Sequence, residues 1–209
     1  EGRDQGDARI SETELRDIHG TPYVSAINAG VQTIMASFSS WNGAKITGHK
    51  GLLTDVLKQR MRFGGFIVSD WNAHGQISGC TNTSCPQAIN AGLDMYMAPD
   101  TWKPMYESLL AQAKSGIVPM ERLEDAVANI LRVKIRAGLF EAGRPSSRPF
   151  SGRFELLGSA DHRALAREAT NSRARHQSCK ESKTPLAQQM ALSDTRPMAA
   201  SRRSRMRPS

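Results

Sequence analysis

Residues 65–71 are Gly-Phe-Ile-Val-Ser-Asp-Trp, a short apolar run that ends at a carboxylate and an indole. A continuous apolar run of this length after glycine predicts a fully buried strand of the kind found in parallel sheets. Asp70 would then follow the end of the strand, fixed in direction and open to the next loop. We therefore consider Asp70 the first candidate for chemistry. The alternative is that it only caps the following segment.

The same order of helix and strand recurs on both sides of this run. The predicted strands are residues 31–38, 66–68 and 93–97. The predicted helices begin at a Ser11–Glu14 capping box, near Leu52, at Pro86, at about Trp102 and near Pro119, with a short one at residues 159–169. Short apolar strands alternating with helices predict an α/β fold with parallel strands covered by helices.

Long polar loops follow the first two predicted strands. In a (β/α)8 barrel, the loops at the C-terminal ends of the strands build the active site. Three strands cannot close a barrel, because closure needs eight strands over roughly 250 residues. The pattern alone therefore leaves two alternatives, a small open α/β sheet or part of a TIM-type barrel.

The charge of the chain is concentrated at its C-terminal end. The net charge is +8, and residues 171–209 carry nine Lys and Arg against two acidic residues, so the first 170 residues are nearly neutral. The tail contains no aromatic residue on which a base could stack, and we expect no nucleic-acid partner. No run is apolar enough to span a bilayer, so no membrane association is expected, and no metal-ligand spacing occurs.

Composition also divides the chain. Residues 143–158 have the Gly-, Pro- and Ser-rich character of a linker, and residues 171–209 contain no Val, Ile, Phe, Tyr or Trp. We therefore predict an α/β segment at 1–142, which the resemblance described below implies to be part of a barrel, a linker with a short helix at 143–170, and a disordered basic tail at 171–209.

Other polar residues near the predicted strands have less specific interpretations. Cys80 and Cys85 either form a short-loop disulfide or remain two free thiols. Asp94 lies at the start of the third strand, away from the proposed active face. Asp100 is interpreted as a cap of the next helix, and His74 as a structural or solvated residue.

Several runs together resemble glycoside hydrolase family 3 over residues 1 to 169. They are Met-Ala-Ser-Phe-Ser-Ser-Trp-Asn-Gly at 35–43, Leu-Leu-Thr-Asp-Val-Leu-Lys at 52–58, Gly-Phe-Ile-Val-Ser-Asp-Trp at 65–71 and Ala-Gly-Leu-Asp-Met at 91–95. The resemblance implies the C-terminal part of an incomplete (β/α)8 TIM-type barrel, followed by a linker. It also implies a bacterial exo-β-glucosidase type of enzyme, periplasmic or secreted, that needs no cofactor.

The resemblance further implies the roles of individual residues. Asp70 would be the nucleophile of a retaining β-glucosidase that releases β-D-glucose from the non-reducing end of β-glucosides or β-glucans. Trp71 would line the glucose subsite, and Met35 and Phe38 would also contact substrate. Phe38 stands where relatives often have Tyr, so any contact of that hydroxyl would be absent.

Other residues of the family pattern are not found in this sequence. A Lys-His pair and an Arg and Asp that hold the sugar would precede Glu1, and the acid/base Glu belongs to a second domain. We therefore expect the chain alone to be inactive, and hypothesise that residues 171–209 are a frame-shifted translation. The alternative is a non-catalytic truncated product, which thermal melting with and without glucose would reveal by the lack of a cooperative transition.

Overall fold

The structure is a computed structural model, and it describes residues 5–181, with side chains described through residue 171. The chain divides into two compact units, one up to Arg144 and one from Pro145 onward. The strands are β1 (Asp7–Ala8), β2 (Thr33–Ala36), β3 (Ser40–Trp41), β4 (Ala44–Lys45) and β5 (Phe66–Ser69). The helices are α1 (Glu12–Glu14), α2 (Thr21–Asn28), α3 (Pro86–Asn90), α4 (Trp102–Lys114), α5 (Met120–Arg136) and α6 (Ala160–Glu181), with π-helical segments at Leu15–Gly20 and Gly51–Arg60.

The central sheet is parallel, as the sequence predicts. Strands β2 and β5 pair in parallel, with Ile34 opposite Ile67. On the other side of β5, Val68 forms a parallel bridge with Met95. Three chain segments therefore lie side by side in the order in which they occur in the sequence, as consecutive strands of an α/β barrel do.

The third predicted strand needs a correction. Residues 93–97 form only the single bridge at Met95, and not a regular strand. One reason is that the side-chain carboxylate of Asp94 accepts the hydrogen bond of the Ile67 amide, at 2.9 Å. A side chain thus replaces a backbone carbonyl at the point where a regular strand ladder would begin.

A second, smaller sheet follows β2. Strand β1 pairs in parallel with β3, and β3 pairs antiparallel with β4. The β3–β4 turn is formed by Asn42 and Gly43, with φ values of 48° and 84°. Asn and Gly both tolerate this left-handed conformation, which a tight hairpin requires.

The first helical stretch begins at the predicted capping box. The Ser11 hydroxyl accepts the Glu14 amide at 3.2 Å, and the Glu14 carboxylate accepts the Ser11 amide at 2.9 Å. The stretch then continues as a π-helical segment that ends at Gly20 and as α2, with Pro22 in the first turn of α2. Pro22 has no amide hydrogen to donate to the preceding turn, where the Thr21 hydroxyl donates to the Asp17 carbonyl oxygen at 2.7 Å.

The hydrophobic core lies on one face of the parallel sheet. Ile67 and Leu93 are fully buried, and Leu53 and Leu57 from the π-helical segment Gly51–Arg60 pack in the same cluster. Gly65 allows β5 to begin there, since a Cβ at this position would lie 2.1 Å from the carbonyl oxygen of Gln32. The packing of the core thus fixes the position of β5 and, with it, the position of Asp70 at its C-terminal end.

The second unit begins with turns and two short 3-10 helices, Pro145–Ser147 and Phe154–Leu156, and continues as a long helix. Helix α6 runs from Ala160 to Glu181, whereas the sequence predicts a short helix at 159–169 and disorder from 171 onward. Residues 171–181 are described as the C-terminal end of α6. The remainder of that prediction, residues 182–209, lies outside the described residues. The linker assigned to 143–170 stays a prediction.

Candidate active site

Asp70 directly follows the C-terminal end of β5. Its backbone amide donates to the carbonyl oxygen of Ala36 at 3.1 Å, which extends the pairing with β2 by one hydrogen bond. Its carboxylate is half-buried, and Oδ1 accepts the backbone amide of Trp71 at 2.6 Å. Within the described residues, Oδ2 has no hydrogen-bond partner. One carboxylate oxygen is therefore held by the backbone, and the other accepts no hydrogen bond from a described residue.

The direction of Asp70 follows from strand alternation. Ala36 and Ser69 are buried on the core face, while Met35 and Val68 point to the opposite face. Because the extended backbone continues to Asp70, its side chain projects on the face of Val68 and Met35. Met35 is 48% exposed there. This face is the one that would form the interior of a closed barrel.

Phe38 lies just beyond the end of β2. It is half-buried, and its carbonyl oxygen accepts the Lys45 ammonium at 2.9 Å. The same ammonium donates to Gln76 Oε1 at 2.8 Å. Lys45 therefore ties the loop after β2 to the loop after Asp70, at the same end of the sheet.

Trp71 presents an exposed indole beside Asp70. Its side chain is 52% exposed, and its Nε1 donates to Asp100 Oδ2 at 3.2 Å. The interpretation of Asp100 as a helix cap is corrected, because Thr101 is the cap residue of α4 and no side chain caps that helix. Sequence reasoning missed the Trp71–Asp100 pair because the two residues lie on loops that follow different segments of the sheet.

The loop between Cys80 and Cys85 is closed by a disulfide, which resolves the two alternatives left by the sequence. Inside this loop, the carbonyl oxygen of Asn82 accepts two hydrogen bonds, one from His74 Nε2 at 3.0 Å and one from the Thr101 hydroxyl at 2.9 Å. The Asn82 carbonyl therefore joins the loop after β5 to the loop before α4.

His74 is fully buried at this junction, which agrees with a structural role and excludes a solvated one. Since Nε2 must donate to the Asn82 carbonyl, the neutral ring carries its proton there. Nδ1 is then an acceptor, and it has no partner in the described part of the chain. Burial lowers the pKa of His74, because the low-dielectric surroundings disfavour the imidazolium, and the Asn82 hydrogen bond opposes this only in part.

This lowered pKa predicts an acid-sensitive stability. In the unfolded chain His74 titrates near pH 6.5, whereas in the folded chain its pKa is lower. Below pH 6.5 the unfolded state therefore binds a proton that the folded state does not bind, and the free energy of unfolding falls as the pH is lowered. The titratable neighbour in ring contact, Tyr96, stays neutral because burial raises its pKa. When the pH of thermal melts is lowered from about 7.5 to about 5, the melting temperature of His74→Gln should fall by less than that of wild type. His19→Gln, at an exposed site, should behave as wild type, and equal losses in all three would contradict the prediction.

Asp94 is the centre of a buried charge network on the core side of the sheet. Its carboxylate contacts Lys58 Nζ at 2.6 Å and the Arg122 guanidinium, and it also accepts the Ile67 amide. Asp125 binds the same two cations from outside, with 53% of its side chain exposed. The prediction that Asp94 lies away from the active face agrees with this structural position.

Among the described residues, no group of three or more His, Cys, Asp and Glu side chains could hold a metal ion. No helix in the described part of the chain is long and apolar enough to cross a membrane. The candidate chemistry therefore consists of one carboxylate with a free oxygen, an adjacent indole, and the loops that hold them.

A carboxylate beside an exposed indole, at the C-terminal ends of parallel strands backed by helices, fits the class of glycoside hydrolases. The comparisons with known proteins specify the family. The family model for the glycosyl hydrolase family 3 N terminal domain matches residues 1–133. The chain therefore belongs to glycosyl hydrolase family 3.

Individual relatives agree with this assignment. The chain is 34% identical over 134 residues to a β-glucosidase of Rhizobium radiobacter, over 63% of this chain and 15% of that protein. It is 32% identical over 144 residues to a periplasmic β-glucosidase of Salmonella typhimurium, over 66% of this chain and 18% of that protein. The chain thus spans less than a fifth of either relative.

Solved structures show the same likeness. An exo-1,3/1,4-β-glucanase from a Pseudoalteromonas species is similar with a TM-score of 0.77 and 52% identity, over 80% of this chain and 21% of that one. The β-glucosidase 3B of Thermotoga neapolitana is similar with a TM-score of 0.57 and 26% identity, over 67% of this chain and 20% of that one. The fold described above is therefore the α/β fold of the family's N-terminal domain.

Proposed function

We propose that this chain is part of a retaining glycoside hydrolase that releases β-D-glucose from the non-reducing end of β-glucosides or β-glucans, with Asp70 as the nucleophile. The observation that carries the proposal is the position of Asp70, whose free Oδ2 follows the end of a parallel strand beside an exposed indole. The relatives named as β-glucosidases and exo-β-glucanase support the substrate class.

In the first step of the mechanism, an oxygen of Asp70 attacks the anomeric carbon of the bound glucosyl unit. The bond from that carbon to the glycosidic oxygen breaks, and a second, protonated carboxyl group donates its proton to the leaving oxygen. Water then attacks the same carbon, gives its proton to the second carboxyl group, and releases glucose with Asp70 restored. We propose that this acid lies outside the described residues.

The remaining site residues hold the sugar. The Trp71 indole offers a flat apolar surface for the C–H face of a pyranose. Met35 and Phe38 lie at the neighbouring strand end and would contact the same sugar. No step of this mechanism requires a metal or a cofactor. Because the chain spans only part of its relatives, we propose that it forms the C-terminal part of an incomplete barrel and is inactive alone.

The compartment is also a proposal. The Cys80–Cys85 disulfide favours an oxidising compartment, and one relative is named as periplasmic. We therefore propose a periplasmic or secreted location.

Grafting tests the function without requiring the chain to act alone. Residues 1–144 would replace the matching segment of the Pseudoalteromonas exo-glucanase, to which the chain is 52% identical. The graft should release glucose from 4-nitrophenyl β-D-glucoside, and NMR should detect the β-anomer before mutarotation. Initial release of the α-anomer would contradict the retaining mechanism. A folded graft that hydrolyses no β-glucoside would contradict the proposed function.

A further inference from the structure

The proposed function does not explain why the Trp71 indole is held by a carboxylate. The indole is more than half exposed, and a free tryptophan side chain at such a site can rotate about two bonds. Its Nε1 nevertheless donates to Asp100, which lies 29 residues further along the chain. Asp100 accepts no other hydrogen bond from a described residue and does not cap α4, so capping does not account for its carboxylate.

The residue next to Asp100 is anchored by the disulfide-closed loop. The Thr101 hydroxyl donates to the Asn82 carbonyl at 2.9 Å, and that carbonyl also accepts His74 Nε2. The loops pack so closely here that a Cβ at Gly75 would lie 2.0 Å from Asn82 Oδ1. The Cys80–Cys85 disulfide and a bridge between Thr81 and Ser84 close the Asn82 loop itself.

These contacts form one connected path from the disulfide-closed loop, through Thr101 and Asp100, to the indole of Trp71. The second branch of the path runs from the same Asn82 carbonyl to His74, in the loop that begins at Asp70. The indole is therefore held at Nε1 by Asp100, and the loop that carries Asp100 is tied through Asn82 to the loop that begins at Asp70. Stacking on a sugar depends on that plane, because only the C–H face of the sugar packs against the indole.

We propose that Asp100 is a positioning residue, which fixes the Trp71 indole as a sugar platform, and that the Thr101–Asn82 hydrogen bond holds Asp100 in place. The proposal rests on the proposed function, since it assigns the platform to a β-glucoside. It adds that sugar affinity depends on a carboxylate that does not touch the sugar. Freeing the indole should weaken binding roughly 3- to 10-fold, the range expected for the loss of one ordered side chain.

The test uses the 209-residue chain for one readout and the graft of residues 1–144 for the other. The first is the NMR resonance of the Trp71 indole N–H in the chain, assigned by its loss in Trp71→Phe. The second is the dissociation constant of the graft for the non-hydrolysable 4-nitrophenyl 1-thio-β-D-glucoside. The variants are Asp100→Ala, Asp100→Asn and Thr101→Val. The matched control is Thr21→Val, which removes the same type of hydroxyl-to-carbonyl hydrogen bond from α2.

Asp100→Ala should shift the Trp71 resonance, speed its exchange with solvent and weaken thioglucoside binding. Asp100→Asn should restore both, because the amide oxygen can still accept from the indole. Thr101→Val should act in the direction of Asp100→Ala, and Thr21→Val should change neither readout. The resonances of Trp41 and Trp102 verify that each variant is folded.

The proposal is overturned if Asp100→Ala leaves the indole resonance unchanged, or shifts it without weakening binding. Thr101→Val with wild-type values in both readouts would overturn the role of the disulfide-closed loop. If the graft without a substitution binds no thioglucoside while Asp100→Ala still shifts the indole of the chain, the Asp100–Trp71 link stands and the proposed function is the part contradicted.

Discussion

Asp70→Asn in the grafted enzyme should lower kcat by on the order of 10⁴- to 10⁶-fold, the range measured when a residue of a covalent catalytic unit is removed. An amide nitrogen or oxygen at this position cannot form the ester to the anomeric carbon on which the second step depends. The fold should survive, because Asn Oδ1 can still accept the Trp71 amide that Asp70 Oδ1 accepts at 2.6 Å. The measurement is the steady-state hydrolysis of 4-nitrophenyl β-D-glucoside.

A matched control separates this effect from a general loss of charge. Asp55 is an exposed carboxylate on the π-helical segment Gly51–Arg60, on the outer side of the sheet. Asp55→Asn should leave kcat within about 2-fold of the parent graft, since exposed substitutions away from a site change little. Substantial turnover in folded Asp70→Asn would show that another group attacks the sugar.

The second large effect concerns stability. Asp94→Ala should lower the free energy of unfolding of the chain by about 3–5 kcal/mol, the cost of removing one partner of a buried ion pair. Its carboxylate is fully buried, so its loss would leave the Ile67 amide without its acceptor. The Lys58 ammonium and the Arg122 guanidinium would keep only the exposed Asp125 as a carboxylate partner. Urea denaturation followed by circular dichroism measures the change.

Asp125 provides the control within the same network. It binds the same two cations, yet 53% of its side chain is exposed to solvent. Asp125→Ala should therefore cost no more than about 1 kcal/mol, as exposed ion pairs do. Equal costs for the two variants would show that burial of the Asp94 carboxylate does not determine its contribution.

The parts of this fold that the sequence predicts are local in origin. The capping box at Ser11 depends on residues three positions apart, and the amphipathic pattern of residues 102–114 predicts α4. The strand before Asp70 is predicted from a short run of consecutive apolar residues. The interactions that produce each of these elements lie within a few residues of one another. The elements can therefore be predicted without knowledge of the tertiary structure.

The contacts that define the site are not local, and the sequence does not indicate them. Trp71 and Asp100 meet across 29 residues, and Asp94 receives the Ile67 amide across 27. The predicted third strand is too long because the side-chain carboxylate of Asp94, and not a backbone carbonyl, accepts the Ile67 amide. The apolar pattern of residues 93–97 does not indicate this replacement. Residue type alone does not distinguish Asp100 as a cap from Asp100 as a partner of an indole.

The central claim is that an oxygen of Asp70 forms a covalent bond to the sugar. The direct test treats the graft with 2,4-dinitrophenyl 2-deoxy-2-fluoro-β-D-glucoside, whose leaving group needs no acid and whose fluorine slows hydrolysis of the ester. Peptide mass spectrometry should find one fluoroglucosyl group, on Asp70, and none in Asp70→Asn. A fluoroglucosyl group on any other carboxylate, with Asp70 unmodified, would contradict the account.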